Sequence, residues 1–405
     1  MLSWVSVDFS TGAILADLTD FECTQVGTVI GQYTTATGSL PVGGTGDDAP
    51  PENWDRALLE GASVLVLVDD LLDGSTPLPL WGGYITRRVQ SLGDVVPVSL
   101  ASLESYLDSR FVGDVTYTAT GQNAIVENLI DEFVNDGTIN IRVEYDGAGE
   151  ARDRTYKDIS DKSIYSVLTE LMGVENGPEW TIGWEWLHDP ERITPVLYVG
   201  GPDGSPRLGN PVPAGMGPAA TFEAPGPVVS AELTRDYGRG KGANRVKATS
   251  TANADTRPES PPQVAVSERP TFEHRFTPST SITQIPTLTS HAQSALAQMA
   301  EGARALTLAA VVQDAPRLNV DWFIGDDIGY VIGGTVTETV QSWVQDVFEE
   351  VFEDEFWSSG LVDVQVSREL VPSFPGGMSG TARCIGWEID LSEPQTIAPI
   401  LGVES

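Results

Sequence analysis

The sequence predicts a β-rich α+β chain, and three observations carry that expectation. Val64-Leu65-Val66-Leu67-Val68 is an uninterrupted apolar run followed by the turn signal Asp73-Gly74, the pattern of a buried strand. Trp180, Ile182, Trp184 and Trp186 recur at every second position, the period of one sheet face. The 41 glycines and 27 prolines among 405 residues supply the frequent turns that many short strands need. At about 100–200 residues per domain, the length suggests two to four modules.

Residues 1–113 read as an all-β module. After Val64 to Val68, a strand restarts at Trp81-Gly82-Gly83-Tyr84-Ile85, and a third runs near Val95 to Leu100. Leu103, Tyr106 and Leu107 have helical spacing and predict a short helix before Arg110. Gly38 to Pro51, rich in Gly, Pro, Thr and Asp, is expected to be an exposed loop.

Residues 114–226 read as a small α/β domain ending in a connector. Ile125, Val126, Leu129, Ile130, Phe133 and Val134 share one helical face, and Gly137 sits where a C-terminal cap belongs. Ile139, Ile141, Val143 and Tyr145 alternate as a half-buried strand does. A second helix, about Ser163 to Met172, is stopped by Gly173. The tryptophan strand and Val196 to Val199 follow, then the Gly/Pro-rich connector Gly200 to Gly226.

Residues 227–405 return to β character through Leu233, Arg245-Val246-Lys247-Ala248, Trp322-Phe323-Ile324, Ile328 to Ile332 and Arg383 to Leu391. Within them an insertion over about 250–311 is expected. It comprises a mobile polar excursion from Ser250 to Pro270 and a helix from about Ser290 to Leu306, weakened by Gly302.

The formal net charge is −35, from 58 acids and 23 bases, so contact with phosphates is repulsive on average and sequence-reading of DNA is disfavoured. Residues 1–55 and 318–367 contain no Lys or Arg at all. Cys23 and Cys384 are too few for a disulfide framework or a Cys-rich zinc site and read as reduced thiols. The N-terminal residues lack the basic start of a secretory signal. The run Ala57 to Leu72 is broken by Glu60 and Asp69 and is too short to span a bilayer.

His188, His274 and His291 lack metal-ligand spacing. Gly377-Met378-Ser379-Gly380 has the wrong spacing for a nucleophile elbow. Asp69, Asp70 and Asp73 do not follow the EF-hand order and read as a turn. Trp180, Trp184, Glu185, Trp186 and Asp189 could serve a sugar site, but their period of two favours core packing. Gly238-Arg239-Gly240-Lys241-Gly242, with Arg235, Arg245 and Lys247, forms a basic patch. It reads as a Gly-rich hairpin tip or as a dock for an acidic neighbouring subunit. The block from Asp346 to Phe356 mixes acids with Val347, Phe348, Val351, Phe352 and Phe356, the pattern of a solvated helix with one apolar stripe or of a protein contact.

Trp81-Gly82-Gly83-Tyr84-Ile85, Leu100 to Leu107, Asn176-Gly177-Pro178-Glu179-Trp180-Thr181-Ile182, Gly325-Asp326-Asp327-Ile328 and Arg383 to Ile389 resemble, in order, segments of the minor tail or baseplate hub proteins of long-tailed phages, siphovirus-type and actinobacteriophage-like. The resemblance implies a homotrimeric virion protein at the tail tip, made in the host cytoplasm. Each subunit would contribute two hub-type β-barrel modules, with the α/β domain and the helical insertion set between them. The ring would match the sixfold tail tube and line the DNA ejection conduit, where an anionic wall keeps DNA from sticking. Implied partners are further copies of the chain, distal tail or tail tube proteins, the tape measure protein, tip or receptor-binding fibre proteins, and passing DNA without specific binding. No catalytic, cofactor-binding or metal residue and no cofactor is expected. The alternatives are an extracellular glycan-binding or glycan-cleaving β-rich protein, and a haloarchaeal protein acidic for solvation alone.

Overall fold

The computed structural model describes all residues except 1, 44–49, 71–76, 175, 213–215, 253–256, 278–281, 334, 345–359, 370–376 and 403–405, with backbone alone over 335–344 and 360–369. The N-terminal strands are β1 (Leu2–Asp8), β2 (Ile14–Asp17), β3 (Glu22–Cys23), β4 (Gln25–Val29) and β5 (Thr35–Pro41). After the single helical turn α1 (Trp54–Ala57) come β6 (Ser63–Asp69), β7 (Leu78–Arg88) and β8 (Val95–Ser102). Seven of these eight strands form one sheet in the order β2-β1-β6-β7-β8-β5-β3. β4 leaves it.

Every residue of β6 except its last is buried because both faces of the strand are covered. Leu65 and Leu67 join a cluster with Trp4, Trp81 and Leu100. Val64, Val66 and Val68 pack on the other side with Val5, Val7 and the helices that follow. That double burial is why β6 reads as a continuous apolar run rather than an alternating one.

The helix-and-sheet region begins with β9 (Val115–Gly121), α2 (Gln122–Phe133), β10 (Arg142–Glu144) and β11 (Ala151–Tyr156), and continues with α3 (Ile164–Met172), β12 (Trp180–His188) and β13 (Glu191–Val199). β9 and β11 pair with each other, and β10-β13-β12 form a three-stranded sheet. The Ser163 hydroxyl caps α3 by accepting from the Ser166 N–H at 3.2 Å. Ile125, Leu129, Ile130, Val167, Leu168 and Leu171 are buried as their spacing requires. Leu103–Ser109 is a 3-10 helix, at the predicted place.

The remaining strands and helix are β14 (Thr221–Ala224), β15 (Val228–Asp236), β16 (Arg245–Ala248), β17 (Gln263–Val264), β18 (Glu273–Phe276), α4 (Ile285–Met299), β19 (Ala303–Val311), β20 (Asp327–Ile332), β21 (Thr335–Val344), β22 (Gly360–Glu369), β23 (Met378–Asp390) and β24 (Thr396–Leu401). A second sheet runs β14-β20-β23-β24-β19-β15, and β4 joins it on β23. The first half of β23 pairs with β20 and its second half with β4. β21 and β22 form a separate hairpin ladder ten pairs long.

Several sequence expectations differ from these elements. The loop expected from Gly38 starts only after Pro41, because β5 pairs along its length with β8. The connector's end is a strand: Phe222 is fully buried and β14 pairs with β20, so residues placed in the α/β region belong to the second sheet. The helix expected to reach Leu306 ends at Met299. Gly302 at φ +81° turns the chain, and Leu308 and Ala310 then alternate inward on β19, which shortens the insertion from its expected end near 311. The Ser250 to Pro270 excursion is tied down where described: Ser260 donates its backbone N–H to the Ala248 carbonyl, and β17 pairs with β16. The expected turn from Asp73 and the helix over Asp346 to Phe356 lie outside the described residues.

Close approach explains the Gly82-Gly83 pair. A Cβ on Gly82 would lie 2.3 Å from Cε2 of Trp184, and one on Gly83 would lie 2.4 Å from the Trp81 ring, so β12 lies against β7 with no room for a side chain. Gly82→Ala is expected to cost about 1–3 kcal/mol by overpacking, and Trp184→Ala about 3–5 kcal/mol by leaving a cavity. Urea unfolding checks both; an Ala at 82 without loss would mean the sheets are not in this contact.

Candidate functional site

The connector meets both larger regions at one polar junction, built from residues of four separate sequence segments. Glu179, just before β12, receives the Arg383 guanidinium from β23 through two hydrogen bonds, Nη1 to Oε1 at 2.7 Å and Nη2 to Oε2. Its Oε2 also accepts the Leu208 N–H at 2.9 Å. Arg207 reaches the Asp327 carboxylate and donates to the Gly325 carbonyl at 3.1 Å. Buried Asp326 accepts the N–H groups of Asn210 at 2.7 Å and Phe323 at 2.9 Å, while Asp327 accepts that of Val212 at 3.0 Å.

The two loops touch backbone to backbone. Gly209 (φ +73°) and Gly325 (φ +96°) both adopt left-handed conformations, and a Cβ on Gly209 would sit 2.1 Å from the Gly325 carbonyl carbon. The Arg383–Glu179 side chains are 24% and 22% exposed, so neither charge is freely solvated and loss of one strands the other. Arg383→Met is expected to cost about 1–3 kcal/mol and to speed amide exchange at Leu208, because the bond from its N–H to Glu179 loses its anchor. Unchanged exchange there would count against the junction as a clamp.

Glu104, in the 3-10 helix after β8, is 3% exposed and accepts the Ile182 N–H at 3.1 Å. Burial pushes its carboxyl pKa up, opposed by hydrogen bonds from the Ser102 hydroxyl and from the backbone of Glu104 and Ile182. A carboxyl with a raised folded pKa binds its proton more tightly in the folded chain. Its contribution is complete below the ordinary value of about 4.3 and is lost as pH rises through the raised value. Glu104→Gln should therefore flatten the fall in stability above about pH 4.3. The difference between wild-type and variant unfolding midpoints across pH checks this; parallel curves would contradict it.

Beside the junction a cleft of about 690 Å³ is lined by Trp184, Glu185, Trp186, Tyr198, Phe323 and Asp326, among others. Trp180 and Trp184 are buried and only Trp186 is half-buried, with Trp180 edge-on to Tyr165 at 5.8 Å. Glu185 pairs with Arg142, and burial together with the Glu185 and Glu144 carboxylates pushes the Tyr198 hydroxyl up to about 12. The tryptophans suspected of sugar binding are thus mostly core, and one of their carboxylates is already paired.

His188 and His291 are exposed, and His274 stacks on Phe276 at 6.2 Å. Cys23 is half-buried; Cys384 is buried, and burial pushes its thiol up to about 12. Among the described residues no three His, Cys, Asp or Glu gather to hold a metal, and no helix is long and apolar enough to cross a membrane. The Gly238 to Gly242 run is a tight turn closed by the Lys241 N–H on the Gly238 carbonyl at 2.9 Å, directly after β15. Arg235, Arg239, Lys241 and Arg245 are exposed around it, whereas Lys247 pairs with Glu259.

The two base-free segments meet on the second sheet, where β4 and β20 lie along the same β23. Two of the acids counted there serve the junction instead of an open surface, Asp326 and Asp327. In the sequence they stand only within a resembling segment and a base-free run, and the junction they form was missed. The available signal was a charged residue within three positions of a glycine in three of the resembling segments, at Glu179, Asp326-Asp327 and Arg383.

No family model and no curated protein matches the chain. Among solved structures, a tail protein from Neisseria meningitidis is similar over 99% of this chain and 97% of its own, at 10% identity and a TM-score of 0.51. The prophage MuSo2 tail protein from Shewanella oneidensis is similar over 99% and 98%, at 10% identity and a TM-score of 0.50. A prophage tail protein from Listeria monocytogenes aligns over 100% and 95% at 7% identity, with a TM-score of 0.47. The chain is thus β-rich α+β, and from end to end its fold is similar to that of two tail proteins, one of them from a prophage.

Proposed function

We propose that this chain is a structural tail-tip hub of a tailed phage, of the siphovirus type that its sequence segments resemble, with no catalytic role. Three copies close a ring, each offering its two seven-stranded sheets as barrel-like modules, so that six modules face the sixfold tube. The ring sits in the virion between tube or distal tail proteins above and tip or fibre proteins below, around the tape measure protein and later the passing DNA. The observation that carries this reading is the end-to-end fold likeness to tail proteins of nearly the same length.

The charge distribution supports a conduit role. The base-free segments converge on the second sheet, and an excess of 35 negative charges opposes adhesion of DNA within a Debye length of about 8 Å. Mass photometry and negative-stain averaging of purified protein test the assembly. A particle of three subunit masses with a central opening is expected. A chain that stays monomeric at micromolar concentration, alone and with its neighbouring tail proteins, overturns the ring.

A further inference from the structure

We infer that the outer edge of β12 is a docking site for an extended segment of another protein, one in which apolar and basic residues alternate. The cleft of about 690 Å³ beside the junction follows this edge. Consecutive residues of β12, Thr181 to Trp186, line it although their side chains alternate between the two faces of the sheet. What they share is the edge that β13 does not cover.

β12 ends the sheet β10-β13-β12, and its even-numbered residues turn their backbone groups away from β13. Three contacts fix this alternation. Ile182 sends its N–H to Glu104 at 3.1 Å, the Trp180 carbonyl accepts the Gly31 N–H at 2.9 Å, and Trp184 stands opposite Pro195, which has no N–H to give. In an antiparallel ladder both backbone groups of such a residue point outward together. Among the described residues no hydrogen bond closes the Ile182 carbonyl, either backbone group of Trp184 or the Trp186 N–H. β7 packs on the strand at Gly82 but is not hydrogen-bonded to it. From Ile182 to Trp186 the edge runs about 13 Å at roughly 3.3 Å per residue, and its outward groups are spaced as an added strand requires.

Register then sets the side chains of the occupant. Residues opposite Ile182, Trp184 and Trp186 fall on the face of Trp184, which packs on β7 and where Leu78 and Leu80 also line the cleft; apolar side chains fit there. Residues opposite Gly183 and Glu185 fall on the other face, beside Glu185 itself and near Glu144, which is in register with Tyr198 as Tyr198 is with Thr181. Arg142 on that face is shared between Glu144 at 3.1 Å and Glu185, which leaves the group negative. Among the described residues the cleft is lined by Glu144, Asp146, Glu185 and Asp326 and by no Lys or Arg. Basic side chains on this face complement it, since opposite charges across neighbouring strands stabilise a sheet.

The chain itself does not supply that segment. Its stretch of bases alternating with apolar residues, Arg245-Val246-Lys247-Ala248, is β16, which lies between β17 and β18 with both edges taken. The exposed cations Arg239 and Lys241 belong to a tight turn, which cannot extend along an edge. The occupant is therefore a different protein. Its chemistry is read from the cleft alone; that it is another tail component rests on the assembly proposed above.

The test uses the full chain and, as probe, an end-capped peptide alternating Lys with Val. In the free chain the Trp184 and Trp186 amides should exchange with solvent faster than those of Gly183 and Glu185, which the ladder holds. The peptide should bind and slow exchange at Trp184. The same peptide N-methylated at its valines has equal charge but cannot bond the edge, and it should do neither. Glu185→Gln should weaken binding about two- to fivefold and leave the unfolding midpoint in place, because the pair it breaks is partly solvated. Equal binding by the N-methylated peptide, or binding without slower exchange at Trp184, means attraction to an acidic chain alone and overturns the inference. Exchange at Trp184 and Trp186 already as slow as at Gly183 in the free chain overturns it too, since the edge is then covered. Binding indifferent to Glu185→Gln overturns the basic character assigned to the occupant. A chain that closes rings but binds no peptide loses the edge and keeps the ring; one that binds the peptide without ever closing a ring does the reverse.

Discussion

Three chain segments would drift apart without the Glu179 carboxylate, which holds Arg383 through two charge-assisted bonds and the connector through the Leu208 N–H. Charge-assisted pairs of this bidentate kind are geometrically demanding, so Glu179 sets where β12 begins relative to β23. Through β12 it also sets the stacking of Trp184 on Gly82, and through β23 the ladder that receives β4. The packing of the helix-and-sheet region against both large sheets is thus referred to one anion of limited exposure. The surrounding glycines, Gly209 and Gly325, serve it by letting two backbones touch.

That arrangement divides the acids of the chain into two populations. A few, such as Asp326, Asp327, Glu179 and Glu104, are wholly or partly buried and accept specific N–H groups. Others among the described residues pair with the scarce cations, as Asp8 does with Arg56, Glu185 with Arg142 and Glu259 with Lys247. An acid excess read from composition therefore overstates the charge that any open surface carries.

Local periodicity made much of the fold legible. The tryptophan strand, β6, α2 and α3 bury most of the residues their spacing assigns inward, with Trp186 and Phe133 half-buried at the edges, because side-chain period follows backbone geometry directly. Boundaries failed where long-range pairing overrode composition. Thr221 to Ala224 looks like the end of a Pro-rich linker until β20 lies beside it, and Ala303 to Leu306 continues a helical pattern until Gly302 turns the chain onto β15. Nothing local marks Gln25 to Val29 as belonging to a sheet otherwise built from residues beyond 220. At the junction, the charged residues stand near glycines in the sequence, but the pairs they form are 204 positions apart for Glu179 and Arg383 and 120 apart for Arg207 and Asp327.

The strand exchange by β4 bears on how the chain is born. Gln25 and Glu388, hydrogen-bonded at 2.9 Å, are 363 positions apart, so β4 emerges from the ribosome long before β23 exists to receive it. The first sheet has all seven of its strands by Ser102 and is free to form early, but the second waits for β23 and β24. Contacts of such separation slow folding, and an early strand left without its ladder is a hazard for pairing with other chains. The polar residues of β4, Gln25 and Thr28, moderate that hazard. A truncated product ending before β23 would expose both the vacant β4 and the apolar faces meant for β23 and β24, so cellular quality control has a conspicuous mark by which to remove incomplete subunits before they enter an assembly.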